Sequence, residues 1–219
     1  MSNGKKIYLS PSNQDKNIYK YGNTNECVQC NRIADAAAAA LKRCGFSVKK
    51  APEGQAMATS INDSNKWGAD LHIPIHTNAL NGRLTGGTLV MLYSNVAANN
   101  KAGAAILNAV APITPGKDYS LRYNSSLAEL NSTKAIAVYL EVEFHDTTDG
   151  AKWIINNTQK IGEAIAKGVC NYYGVKYVTP EPVKIYRVQV GAFTVKKNAE
   201  NQLKKLKAAG FNDAFIVEV

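Results

Sequence analysis

Short apolar runs alternate with longer helical patterns along most of the chain, and this alternation constrains the fold more than any other feature of the sequence. Ile7-Tyr8-Leu9 ends in Ser10-Pro11-Ser12-Asn13, a strand running into a loop. Residues 26–44 then place Cys27, Cys30, Ile33, Ala34, Ala37, Ala38, Leu41 and Cys44 at spacings of three and four, with Gly45 as the stop, which predicts an amphipathic helix. Phe46-Ser47-Val48 predicts a second strand and residues 55–67 a second helix. Asp70 to His76 predicts a third strand, in which Pro74 must sit where the ladder spares an amide. Thr88 to Tyr93 and Ala135 to Phe144 read as further strands, residues 97–111 and 150–173 as further helices. The expected fold is α/β, a mainly parallel twisted sheet flanked by helices.

At 219 residues the chain fits one domain of conventional size plus a small appendage. Val178-Thr179-Pro180-Glu181-Pro182 marks a stiff, extended linker. We therefore expect a first domain over residues 1–177, a linker over 178–184 and a module over 185–219. The module reads as β-α-β: Ile185 to Val190, a basic helix over 195–209 that stops at Gly210, and Phe215 to Val219. So short a unit lies below the size at which chains usually fold alone, and it calls for a partner.

The net charge of +9 favours polyanionic partners without choosing among nucleic acid, anionic membrane and the acidic polymers of a cell wall. No nucleic-acid motif accompanies the lysines of the last helix, Lys196, Lys197, Lys204, Lys205 and Lys207, so nucleic acid is not expected. No run approaches the ~20 apolar residues of a membrane span. The four cysteines are too sparse for a disulfide scaffold, and Cys27 and Cys30 fit the apolar stripe of the first helix. The apolar run after Met1 to Lys6 is too short for a signal peptide, so synthesis in the cytoplasm without one is expected.

Ligands of open α/β sheets bind outside the carboxyl ends of the strands. Asn13 and Gln14 follow the first strand, His76-Thr77-Asn78 the third, and Glu141 to Asp146 closes the last, while Glu26 opens the first helix. A catalytic zinc takes three protein ligands from His and Glu and keeps a fourth position for water, and a further carboxylate then acts as general base. Glu26, His76, His145 and Glu141 supply these parts, although no compact motif such as H-E-x-x-H joins them. Glu141 and Glu143 share one face of their strand, a pair that also fits a glycosidase. His72 shares the parity of His76 but lies inside an apolar run, as a core histidine with satisfied nitrogens would.

Taken together, Ile7-Tyr8-Leu9 with Pro11, Glu26 at a helix start, Ile73 to Ala79, the Gly86-Gly87-Thr88 turn and Tyr139 to Phe144 occur in one order over roughly residues 5–175. That order resembles the zinc-dependent N-acetylmuramoyl-L-alanine amidases of the type 3 fold, which cut peptidoglycan as bacterial autolysins and phage endolysins. The resemblance implies a Zn2+ cofactor, Glu26 and His76 as two of its ligands, and Glu141 as the catalytic glutamate. It also implies cleavage between the lactyl group of N-acetylmuramic acid and the L-alanine of the stem peptide, with Asn13, Gln14 and Asn78 bonding glycan or peptide. The third ligand departs from the family, whose Asp-Pro-Gly-His reads Ser10-Pro11-Ser12-Asn13 here; an amide oxygen is a poor zinc ligand beside imidazole. We expect His145 to fill that position; the alternative is a dead site in a protein that binds peptidoglycan without cutting it.

Tyr186 to Phe193, Leu203, Leu206, Gly210-Phe211 and Ala214 to Val217 resemble about half of the sporulation-related (SPOR) domain, which binds peptidoglycan. Two such halves would complete one sheet, so a homodimer through residues 185–219 is expected. The expected place of action is the cell wall, reached through a holin-type lesion or at lysis.

Overall fold

Apolar side chains at alternate positions decide which face of each strand turns inward, and the sheet follows from that rule. A computed structural model describes residues 4–82, 86–117, 119–181 and 188–218. The order is β1 (Lys6–Pro11), α1 (Glu26–Arg43), β2 (Ser47–Lys50), α2 (Met57–Trp67), β3 (Leu71–Asn78), β4 (Leu89–Leu92), α3 (Ala97–Val110), β5 (Ser120–Tyr123), α4 (Ala128–Asn131), β6 (Ile136–Ala137), β7 (Tyr139–Phe144), α5 (Thr148–Tyr173) and α6 (Lys196–Ala208). Among the described residues the sheet runs β2-β1-β3-β7-β4-β5, with the short β6 also paired to β3. All pairings are parallel except β4 with β7. The mainly parallel α/β sheet is therefore as expected. Strand β5 and helix α4, each four residues long, carry too little periodicity to be read from sequence.

On one face Leu9, Ile73, Ile75, Val90, Leu140 and Val142 form a continuous core with Ile33 and Leu41 of α1, Ile106 of α3 and Ile154 and Ile165 of α5. Each such side chain, fully withdrawn from water, contributes roughly 1.5–3 kcal/mol. The alanine run of α1 lets α5 approach closely: a Cβ at Gly162 would lie 2.5 Å from the Cβ of Ala36. Pro74 sits in β3 where the neighbour on one side changes, since Leu71 and His72 pair with β6 and Ile75 and His76 with β7, so its missing amide falls at the break.

The opposite face is polar and partly covered by α2 and α4. Tyr8 and Ser10 of β1, His72 and His76 of β3 and Tyr139 and Glu141 of β7 lie there. This face, at the carboxyl ends of β1, β3 and β7, carries the candidate site.

The chain divides by internal contacts into two units, Met1–Pro180 and Glu181–Val219. In the second, no residue of α6 is buried, and Val188, Phe211 and Phe215 are exposed. The strands expected at 185–190 and 215–219 fall partly on residues 185–187 and 219, which lie outside the described residues; 188–190 and 215–218 form no ladder. No helix among the described residues is long and apolar enough to cross a membrane.

Candidate metal centre and active site

Asn25 caps α1, its Oδ1 accepting from the Val28 amide at 3.0 Å, and this places Glu26 in the first turn, where the helix dipole favours a carboxylate. The Glu26 amide donates to the Asn17 carbonyl at 2.9 Å, and its Oε2 accepts from Asn17 Nδ2 at 2.7 Å. Held so, Glu26 presents Oε1 to His76 Nδ1 at 2.7 Å. His76 closes β3 with its ring stacked on Tyr139, centroids 4.6 Å apart. Gln14 reaches the same spot from the β1–α1 loop, its Nε2 3.4 Å from His76 Nδ1 and its Oε1 accepting from Asn17. Glu141 is the register partner of His76 across β3 and β7, so both side chains rise from the same face. Its Oε2 is buried and has no hydrogen-bond partner.

The charges respond to this crowding. Burial works against the His76 imidazolium, but the Glu129 and Glu26 carboxylates outweigh it and raise its pKa to about 9. Burial likewise opposes ionisation of Glu26, yet His76 and Asn17 hold its pKa below the usual carboxylate value. For Glu141 the balance goes the other way: burial, with Glu26 nearby, outweighs the pull of the His76 charge and pushes it up to about 7. It is the one carboxyl of the group placed to give and take a proton near neutrality.

Glu129 went unread in the sequence. It sits in the short α4, buried, with Oε1 accepting from Ser10 Oγ and lying 3.3 Å from His72 Nε2. Its Oε2 lies 3.8 Å from His76 Nε2. Burial opposes its charge, but His72, His76 and Ser10 hold its pKa down at about 2. The available signal was His72: a fully buried imidazole needs an acceptor, and the core reading of His72 is met by Ser64 at 3.0 Å and by Glu129. A cavity of about 420 Å3 opens here, lined among others by Ser10, Asn13, Gln14, His76, Glu129 and Tyr139.

The other expected site residues lie apart from this centre. His145 packs on Thr77, which alternation turns to the face opposite His76; its Nδ1 lies 2.9 Å from both the Thr77 carbonyl and Thr77 Oγ1, and its ring stacks on Tyr19. It lines a different cavity, with Tyr19, Lys20 and Asp146, so the structure does not bring it to the Glu26–His76 pair. Asn78 bonds the Ala79 amide and faces a third cavity with Tyr119 and Arg122. Asn13 lines the main cavity but makes no side-chain bond to the centre, and its neighbour Gln14 is the residue beside His76 Nδ1. Glu143 accepts from the Gly87 and Phe144 amides through Oε1 and from the Gly116 amide through Oε2, which consumes the second carboxylate that a glycosidase pair requires.

Among the described residues no three His, Cys, Asp or Glu side chains gather closely enough to hold a metal by themselves. The chemistry of the donors nevertheless fits a divalent cation. One imidazole nitrogen and one carboxylate oxygen converge, an oxygen of a second carboxyl group, Glu141, is buried nearby without a partner, and the acidic groups outnumber the cationic ones around His76.

Comparison with known proteins places this geometry. A family model described as N-acetylmuramoyl-L-alanine amidase matches residues 12–171, and the SPOR domain model matches 171–218. The sporulation-specific N-acetylmuramoyl-L-alanine amidase of Bacillus subtilis (strain 168) is 26% identical over 167 residues, covering 73% of this chain and 63% of the relative. N-acetylmuramoyl-L-alanine amidase CwlM of Bacillus licheniformis is 26% identical over 159 residues, covering 71% and 60%. The chain thus spans less than two thirds of either curated relative. In fold it is similar to the catalytic domain of the amidase CwlV from Bacillus (Paenibacillus) polymyxa var. colistinus, with a TM-score of 0.69 at 16% identity over 78% of this chain and 99% of that one. The catalytic domain of the CD27L endolysin targeting Clostridia difficile gives 0.64 at 24% identity over 77% and 98%. A family match over residues 12–171, which takes in every strand but β1 together with Glu26, His76 and Glu141, settles the classification: the chain belongs to the N-acetylmuramoyl-L-alanine amidase family.

Proposed function

We propose that this chain hydrolyses the amide bond between N-acetylmuramic acid and the L-alanine of the peptidoglycan stem peptide. The observation that carries the reading is the convergence of Glu26, His76 and Glu141, all within the residues that the family model matches, at the carboxyl edge of the sheet. Glu26 and His76 would hold a zinc ion, with the Gln14 side chain beside them. A bound zinc would polarise the scissile carbonyl and lower the pKa of a water molecule. Glu141, buried with a free oxygen, takes the proton of the attacking water and returns it to the leaving amine. Asn13 and Gln14 line the cavity where glycan or peptide is bound.

Residues 1–177 serve as the catalytic domain, 178–184 as linker and 185–219 as a wall-binding module, the last supported by the SPOR match. The exposed lysines of α6 suit anionic wall polymers, and the exposed Val188, Phe211 and Phe215 support pairing of two modules into a homodimer, which sedimentation at micromolar concentration tests.

Elemental mass spectrometry and a wall-digestion assay test the activity. About one zinc per chain, with chelator-sensitive release of new L-alanine amino termini from cell walls, is the expected result. A metal-free protein that releases none overturns it.

A further inference from the structure

A histidine ligand has two nitrogens, and the one that meets the metal is set by what the other holds. We infer that Glu129 is the positioning residue of this centre: it holds His76 from the Nε2 side, so that Nδ1 is the nitrogen presented beside Glu26. The inference rests on the metal reading above and deepens it.

The imidazole of His76 lies between two carboxylates, one on each nitrogen: Glu26 Oε1 at 2.7 Å from Nδ1 and Glu129 Oε2 at 3.8 Å from Nε2. The Glu26 side belongs to the α1 terminus, the Glu129 side to α4. Stacking on Tyr139 fixes the plane of the ring, and the carboxylates then fix its rotation within that plane.

Glu129 is itself immobilised by a buried chain that draws on β1, α2 and β3. Its Oε1 accepts from Ser10 Oγ and faces His72 Nε2 at 3.3 Å, and His72 Nδ1 lies 3.0 Å from Ser64 Oγ. His72 is fully buried and stacked on Tyr8. A carboxylate only accepts, so Ser10 Oγ and His72 Nε2 both donate to Glu129 Oε1, and Oε2 is left over for His76. Ser10 and His72 alone would satisfy a carboxylate whose only task was packing; the second oxygen turned to His76 is what assigns the role. Ligating histidines ordinarily donate their other ring N–H to a carboxylate or carbonyl, and loss of that partner typically weakens metal affinity 10–100-fold.

Two measurements on the full chain test this. Zinc affinity by competition with a chromophoric chelator should fall roughly 10–100-fold in Glu129→Gln, which keeps the shape and removes the charge. Thermal melting of the zinc-free variant checks that it folds. Histidine labelled with 15N gives three ring systems to assign, His72, His76 and His145. In the zinc-loaded wild type, His76 should carry metal on Nδ1 and a proton on Nε2. Metal on Nε2, with Glu129 then a direct ligand, overturns the inference, as does unchanged zinc affinity in a folded Glu129→Gln. The wild-type spectrum decides the matter even if the variant does not fold. A wild-type chain that takes up no zinc overturns the metal reading along with it.

Discussion

Strand β7 carries two carboxyl groups, two residues apart where its register against β3 shifts, and they end in opposite surroundings. Around Glu143 the polypeptide closes in: Gly86, Gly87 and Gly116 bring backbone so near that both oxygens are filled by amide donors. Around Glu141 the neighbours are side chains at the edge of a cavity, and one buried oxygen is left without a bond. The first region spends its charge on holding loops together; the second keeps its charge in reserve. The difference shows how one strand serves both as scaffold and as reagent, through what approaches it rather than through its own sequence.

Substitutions can break that contrast. Glu141→Gln should lower wall hydrolysis by about 10²–10⁴-fold while leaving the urea midpoint of the protein unchanged or raised, because no hydrogen bond to Oε2 is lost. A large loss of stability would show that Glu141 belongs to the scaffold after all. Gly116→Ala should do the reverse. Its Cβ would lie 1.8 Å from the Gly86 carbonyl carbon, and separating the two loops should cost about 3 kcal/mol or more in equilibrium unfolding.

Glu143→Ala should come next, at about 3 kcal/mol, since it strands the amides of Gly87, Phe144 and Gly116 together. If its cost were near zero, water would be replacing the carboxylate and the cradle would not be the closed structure described here.

A surface pair calibrates the scale. The Lys49 ammonium beside Asp63, with the Tyr8 hydroxyl, holds the Asp63 carboxyl below its ordinary value. The folded state therefore binds fewer protons there than the unfolded one, so the pair stabilises at neutral pH and its contribution is lost as pH falls below the unfolded carboxylate pKa of about 3.9. Asp63→Asn should cost under about 1 kcal/mol at pH 7 and less at pH 3, measured by urea midpoints at both values.

Much of this was legible in the sequence because it rests on periodicity. The apolar spacing of residues 26–44 gave α1, and with it the position of Glu26 at a helix start; the run up to His76 gave the strand that delivers it. What escaped depends on contacts that no period records. Glu129 lies in a four-residue helix and acquires its meaning only from Ser10, His72 and His76, all distant in the chain. His145 packs away from the His76 ring for a reason of parity: it bonds Thr77, and alternation along β3 turns Thr77 from the face His76 occupies. Asn13 and Gln14 differ by one step along a loop, where no rule fixes side-chain direction, and Gln14 is the one beside the imidazole.

The place where the first unit ends has a mechanical consequence. Arg43 donates to the Val178 carbonyl at 2.9 Å, the Val178 amide points at Cys44 Sγ at 3.3 Å, and the Tyr177 hydroxyl bonds Glu163. If the second unit tethers the chain to the wall, as proposed above, tension arriving through Pro180 meets these fastenings first. They sit at the far end of α1 from Glu26, a helix of 18 residues and so about 27 Å of rise. A tug on the tether would thus fall on the end of α1 and the middle of α5, and the carboxylates at the sheet edge would be spared the strain.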